Sequence, residues 1–102
     1  MEVILDSTEE TSISIDGEFE KNSYSKNLKK SFFQALAMDT KLSDEIKFMP
    51  GMSGKKYRYF INNFVSLTDN PRYLEIGCWT GSTVCSALYG NKIKAVCIDN
   101  WI

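Results

Sequence analysis

Tyr73-Leu74-Glu75-Ile76-Gly77-Cys78-Trp79-Thr80-Gly81-Ser82-Thr83, followed by Val96-Cys97-Ile98-Asp99, is the stretch that decides the fold. It reads as a buried strand, a glycine turn, a short helix and a second buried strand ending in an acid. Such a unit builds a nucleotide site: the turn leaves room for a ligand's polar tail, and the acid can grip a ribose. Ala95-Val96-Cys97-Ile98 is a continuous apolar run, the pattern of a parallel strand covered on both faces. A strand-helix-strand unit of this kind makes a right-handed crossover.

Working outward, a doubly wound sheet normally needs at least about five parallel strands with helices on both faces. Only this one strand-helix-strand unit can be read in the 102 residues. The expectation is therefore an α/β chain: the N-terminal part of a Rossmann-like doubly wound parallel sheet, preceded by helices and truncated after the second strand. The outer edge and one face of that sheet should lack partners. Residues 71–102 form this unit, 28–70 the N-terminal helices, and 1–27 a polar leader. Within the leader, Asp16-Gly17, flanked by Ile13, Ile15 and Phe19, is a hairpin signal; a loosely held tail is the competing reading, since two strands alone are marginal in water.

Leu28, Phe32, Phe33, Leu36 and Ala37 fall on one stripe at helical spacing. A short second segment has Ser43 as its N-cap and Leu42, Ile46 and Met49 on its apolar side, and Pro50-Gly51 breaks it. Ser53 can cap a third helix in which Tyr57, Phe60, Ile61, Phe64 and Val65 recur at i, i+3, i+4, i+7 and i+8. Asp69-Asn70-Pro71 supplies turn chemistry at its end. The last helix runs from about Ser82 to Tyr89 and closes at Gly90, and Lys94 to Ile98 is the final strand.

Composition is that of a globular domain: 43% hydrophobic, 25% charged, net charge −1. There is no basic excess to favour nucleic acid, no signal-peptide pattern, and no apolar run of membrane-span length. Lys55-Lys56-Tyr57-Arg58-Tyr59-Phe60 interleaves basic and aromatic residues, but on a helix Lys55, Lys56 and Arg58 should point to water. Cys78, Cys85 and Cys97, without an export signal, read as reduced thiols in a cytoplasmic setting. With no Cys-x-x-Cys spacing and no histidine, no metal site is expected.

Two cofactor classes use a glycine turn of this kind, dinucleotides and S-adenosylmethionine. The dinucleotide fingerprint G-x-G-x-x-G needs glycine at the positions held here by Trp79 and Ser82. A tryptophan where backbone must approach a pyrophosphate excludes that reading on sterics. A phosphate-binding P-loop is also absent, because no Gly-Lys-Ser/Thr follows the turn.

Glu75-Ile76-Gly77-Cys78-Trp79-Thr80-Gly81, continued by Ser82-Thr83, resembles the first motif of class I S-adenosylmethionine-dependent methyltransferases, Glu/Asp-x-Gly-x-x-x-Gly. The resemblance covers Pro71 to Trp101, and extends more weakly to Met49-Pro50-Gly51-Met52-Ser53-Gly54-Lys55 and the helix after it. It implies methyl transfer from S-adenosylmethionine to an unidentified acceptor, with this chain as the cofactor-binding part. By the same resemblance Asp99 is the ribose ligand, and Glu75 organises the turn and faces the methionyl ammonium. Gly77 and Gly81 form the turn, Trp79 borders the methionine end, and Ser82 lies by the methionyl carboxylate. Many members have glycine where Trp79 stands, so that end departs from the family pattern. No catalytic residue is assigned, since later strands normally supply the substrate site.

Each residue also has a plainer role: turn glycines for Gly77 and Gly81, a strand-end charge for Glu75 or Asp99, a cap for Ser82 and Thr83. Trp79 can equally serve packing or a partner contact. Met49, Met52 and the glycines beside them read either as a flap over the cofactor or as an ordinary connecting loop. The alternative function is a truncated, non-catalytic chain that only binds a partner or survives as an unstable remnant.

Overall fold

The computed structural model describes residues 2–6, 11–14 and 22–100. The element order is β1 (Glu2–Asp6), β2 (Thr11–Ser14), α1 (Ser23–Leu36), α2 (Asp44–Lys47), α3 (Lys55–Leu67), β3 (Arg72–Ile76), α4 (Ser82–Leu88) and β4 (Lys94–Ile98). The chain is α/β, with helices followed by a two-stranded parallel sheet, an arrangement compatible with part of a doubly wound fold. β1 and β2 pair antiparallel with Val3 opposite Ile13. The Asp16-Gly17 hairpin signal, with Ile15 and Phe19, lies outside the described residues.

α1 starts at Ser23, more than a turn ahead of the apolar stripe. There Asn22 caps it, its side chain accepting from the Tyr24 and Ser25 N–H groups. The cap satisfies backbone donors that would otherwise be orphaned, so polar residues extend the helix backward. Phe32 and Ala35 of α1 meet Leu42, Tyr59 and Phe60 in the core, with Leu28, Leu36, Ile46, Ile61 and Phe64 packed around them. The Phe32 and Phe60 rings meet edge to face with centroids 6.0 Å apart, a geometry the ring quadrupoles favour. Phe33, expected on the same stripe, is exposed.

Arg58 corrects the expectation that it points to water: only 3% of it is exposed. Its Nη1 donates to the carbonyls of Ile46 and Met49, each at 2.8 Å, and of Lys47 at 3.2 Å, while Nε donates to Ser53 Oγ at 3.0 Å. The end of the short α2 leaves carbonyls without helical partners, and one planar guanidinium collects them. Ser53 is spent on this contact: the N-cap of α3 is Gly54, with no side-chain cap bond.

α3 joins the helical core to α4 through Asn62, which is fully buried. Its Nδ2 donates to the carbonyls of Ser86 and Tyr89 at the end of α4, and its Oδ1 accepts from Lys41 Nζ. The open carbonyls of α4 are thus met by a side chain of a neighbouring helix. β3 and β4 run parallel in the register Arg72–Lys94, Leu74–Val96 and Ile76–Ile98 on one face, and Tyr73–Ala95 and Glu75–Cys97 on the other. Leu74, Ile76, Val96 and Ile98 are each more than half exposed. On the opposite face only Ala95 of β4 is partly covered and Cys97 is exposed, so the apolar run of β4 is not covered on both faces.

Candidate functional site

The glycine turn stands at the C-terminal ends of β3 and β4, where parallel sheets present ligand-binding crevices. Gly77 and Gly81 adopt φ of 80° and 85°, the left-handed region that side chains resist. Gly77 N–H donates to the Ile98 carbonyl at 2.7 Å, which continues the strand ladder into the turn. Gly81 is the N-cap of α4. Trp79 also lies in the left-handed region, at φ 44°. That conformation is unfavourable for a bulky residue, so the turn carries a strained side chain between its two glycines.

Asp99 holds this strained residue: its Oδ2 accepts from Trp79 N–H at 2.9 Å. The acid at the end of β4 thereby braces the turn from below. Glu75 lies on the face of the sheet away from Leu74 and Val96, where its Oε1 accepts from Tyr73 Oη at 2.6 Å. Burial pushes the Tyr73 phenol well above its ordinary pKa, and the bond to Glu75 and its charge add to the shift. Burial likewise pushes the Cys78 thiol up to about 11, with Cys97 and then Glu75 contributing.

A cleft of about 410 Å³ opens over the turn. One wall is Gly77, Cys78, Trp79, Ser82 and Thr83; the other is Met52, Ser53, Gly54 and Tyr57 from the loop and first turn of α3. The volume falls within the range of small-molecule sites. The two walls are tied together beside it. Thr80 Oγ1 donates to the Pro50 carbonyl, and Gly51 packs so tightly on α4 that a Cβ there would lie 2.6 Å from the Ser82 Cβ. Arg58 fixes the same loop through Met49 and Ser53.

Of the residues read from the motif, Gly77, Trp79 and Ser82 line the cleft directly. Gly81 and Asp99 act on its floor, as helix cap and brace. Glu75 lies under the turn and is not among the lining residues. Ser82 is buried beneath Gly51 and makes no cap bond. The opposite wall is only partly legible in the sequence, where Met52 fits either a flap or a plain loop and Tyr57 falls on the core stripe. Tyr57 does lean on Phe60, with ring centroids 6.3 Å apart, yet it is partly exposed and its other side borders the cleft.

Among the described residues, no helix is long and apolar enough to cross a membrane. Compared with protein-family models, curated proteins and solved structures, the chain gives no match.

Proposed function

We propose that this chain binds S-adenosylmethionine and forms the cofactor-binding part of a methyltransferase acting on an unidentified acceptor. The observation that carries the reading is the cleft over a left-handed glycine turn at the ends of two parallel strands. A ligand with a small zwitterionic tail suits this turn better than a pyrophosphate, because Trp79 occupies the position of closest backbone approach. Asp99 has a carboxylate with about four acceptor sites, enough to serve the Trp79 N–H and a ribose hydroxyl together. Met52 and Tyr57 offer apolar surface to the nucleoside. Methyl transfer would then draw mainly on alignment of the acceptor with the sulfonium methyl. No residue of this chain is assigned as a base.

Calorimetric titration with S-adenosylmethionine and, separately, NAD tests this. Binding of the first alone is expected, and Asp99→Ala should weaken it by about 1–3 kcal/mol through lost hydrogen bonds and a loosened turn. Equal heats for the two ligands, or no heat with S-adenosylmethionine, would refute the proposal.

A second reading, a partner-binding chain without catalysis, is favoured by one observation. Leu74, Ile76, Val96 and Ile98 make a contiguous bare apolar face, and such patches usually meet another surface. Tight self-association of the chain in sedimentation, with no cofactor binding, would favour this reading over the first.

A further inference from the structure

Glu75, Cys78 and Cys97 converge beneath the glycine turn, and one ligand atom from each lies within 4.8 Å of the other two. The parallel register sets Glu75 opposite Cys97, on the face away from Leu74 and Val96. The left-handed Gly77 then turns the chain back, bringing the Cys78 sulfur to 3.8 Å from the Glu75 carbonyl and 3.9 Å from the Ile98 carbonyl. No sequence spacing announces the set, because its members sit on two strands and a turn.

Two sulfurs and one carboxylate oxygen are a donor set for a thiophilic divalent ion. Around tetrahedral zinc, with bonds of about 2.3 Å, two thiolate sulfurs stand about 3.8 Å apart. The observed cluster closes to that size with side-chain adjustments of about an ångström. A further observation points the same way: Tyr73 Oη, at 2.6 Å from Glu75 Oε1, holds the carboxylate in the manner of the outer partners that orient metal ligands. Cys78 is buried and Cys97 is exposed, so one sulfur anchors the site and the other opens it to solvent.

We propose that Glu75, Cys78 and Cys97 form a three-ligand site for a divalent cation of the zinc type, with water in the fourth position. Binding replaces the two thiol protons, which are released to solvent, so affinity rises with pH. Cys78 also lines the cleft, so the ion would sit directly behind the turn and stiffen it. The proposal is independent of the methyltransferase reading, since no nucleoside takes part.

The test is titration of the reduced, untagged, metal-free chain with Co²⁺ without oxygen, following thiolate-to-metal charge-transfer absorption, then displacement by Zn²⁺. The chain has no histidine to mimic such a site. One equivalent with the intensity of two thiolates is expected. Cys97→Ser, at an exposed position, should halve that intensity and weaken binding at least about tenfold. Tyr73→Phe should keep both thiolates and weaken binding about 10–100-fold, as outer-partner losses do. Cys85→Ser, outside the cluster, should change nothing. Absence of a one-equivalent complex in the unmodified chain overturns the proposal, as does an equal loss in Cys85→Ser and Cys97→Ser. Should Cys78→Ser fail to fold, the Cys97 and Cys85 variants decide alone.

Discussion

Replacing Arg58 should loosen one wall of the cleft and much of the helical core. Its guanidinium makes bonds to Ile46 O, Met49 O, Lys47 O and Ser53 Oγ. A hydrogen bond involving a charged group contributes about 1.5–3 kcal/mol. The contact at 3.2 Å is at the weak end of the range, and bonds that share one group are not additive. The released carbonyls lie near the surface and recover some water. Burial holds the Arg58 pKa below its ordinary value. The balance is a loss of about 3 kcal/mol for Arg58→Met, which keeps the apolar stem and removes every donor. Arg58→Lys keeps a charge but lacks the planar fork, and about half that loss is expected. Urea unfolding followed by circular dichroism reads both. With a slope of about 1.5 kcal/mol per molar, the Met variant's midpoint falls by about 2 M. A fall below about 0.5 M for Met, or equal falls for Lys and Met, would show that the fork does not hold the loop.

Two further outcomes concern the sheet. Leu74→Thr and Val96→Thr remove apolar surface from the bare face, and each should change stability by less than about 0.5 kcal/mol while reducing self-association and binding of a hydrophobic dye. A loss above about 1 kcal/mol from either would mean that the face is packed. Tyr73, whose pKa is raised, favours the folded state fully below the ordinary phenol value of about 10. That contribution is lost as pH rises from there through the raised value, because the unfolded chain ionises first. Alkaline unfolding should therefore be shallower in Tyr73→Phe, and identical curves would remove Tyr73 from the balance.

Local pattern carried most of the elements. The i, i+3, i+4 spacing of Tyr57, Phe60, Ile61 and Phe64 marks α3. The glycines around Trp79 mark the turn, and the apolar run to Ile98 marks β4. Ser82 and Gly90 bracket the last helix, and the turn chemistry of Asn70-Pro71 agrees with the left-handed Asn70. These are short-range effects of period, propensity and φ, so a sequence displays them directly. The position of Arg58 is not legible in the sequence, for the opposite reason. A charge on a helix next to aromatics reads as solvated, and only the end of α2, folded against it, reveals the orphaned carbonyls it serves.

Residue type and spacing alone determined a glycine turn between two parallel strands, because only glycine accepts the positive φ at Gly77 and Gly81 cheaply and only a long crossover joins parallel strands. Tertiary structure alone decided what surrounds that turn. The loop of Met52, Ser53 and Gly54 became the far wall of a cleft, Asp99 became a brace for Trp79, and Glu75, Cys78 and Cys97 came within reach of one ion. Each of these arises from contacts between segments distant in sequence, set by how α3, α4 and the sheet pack, and packing geometry leaves no periodic trace in the chain.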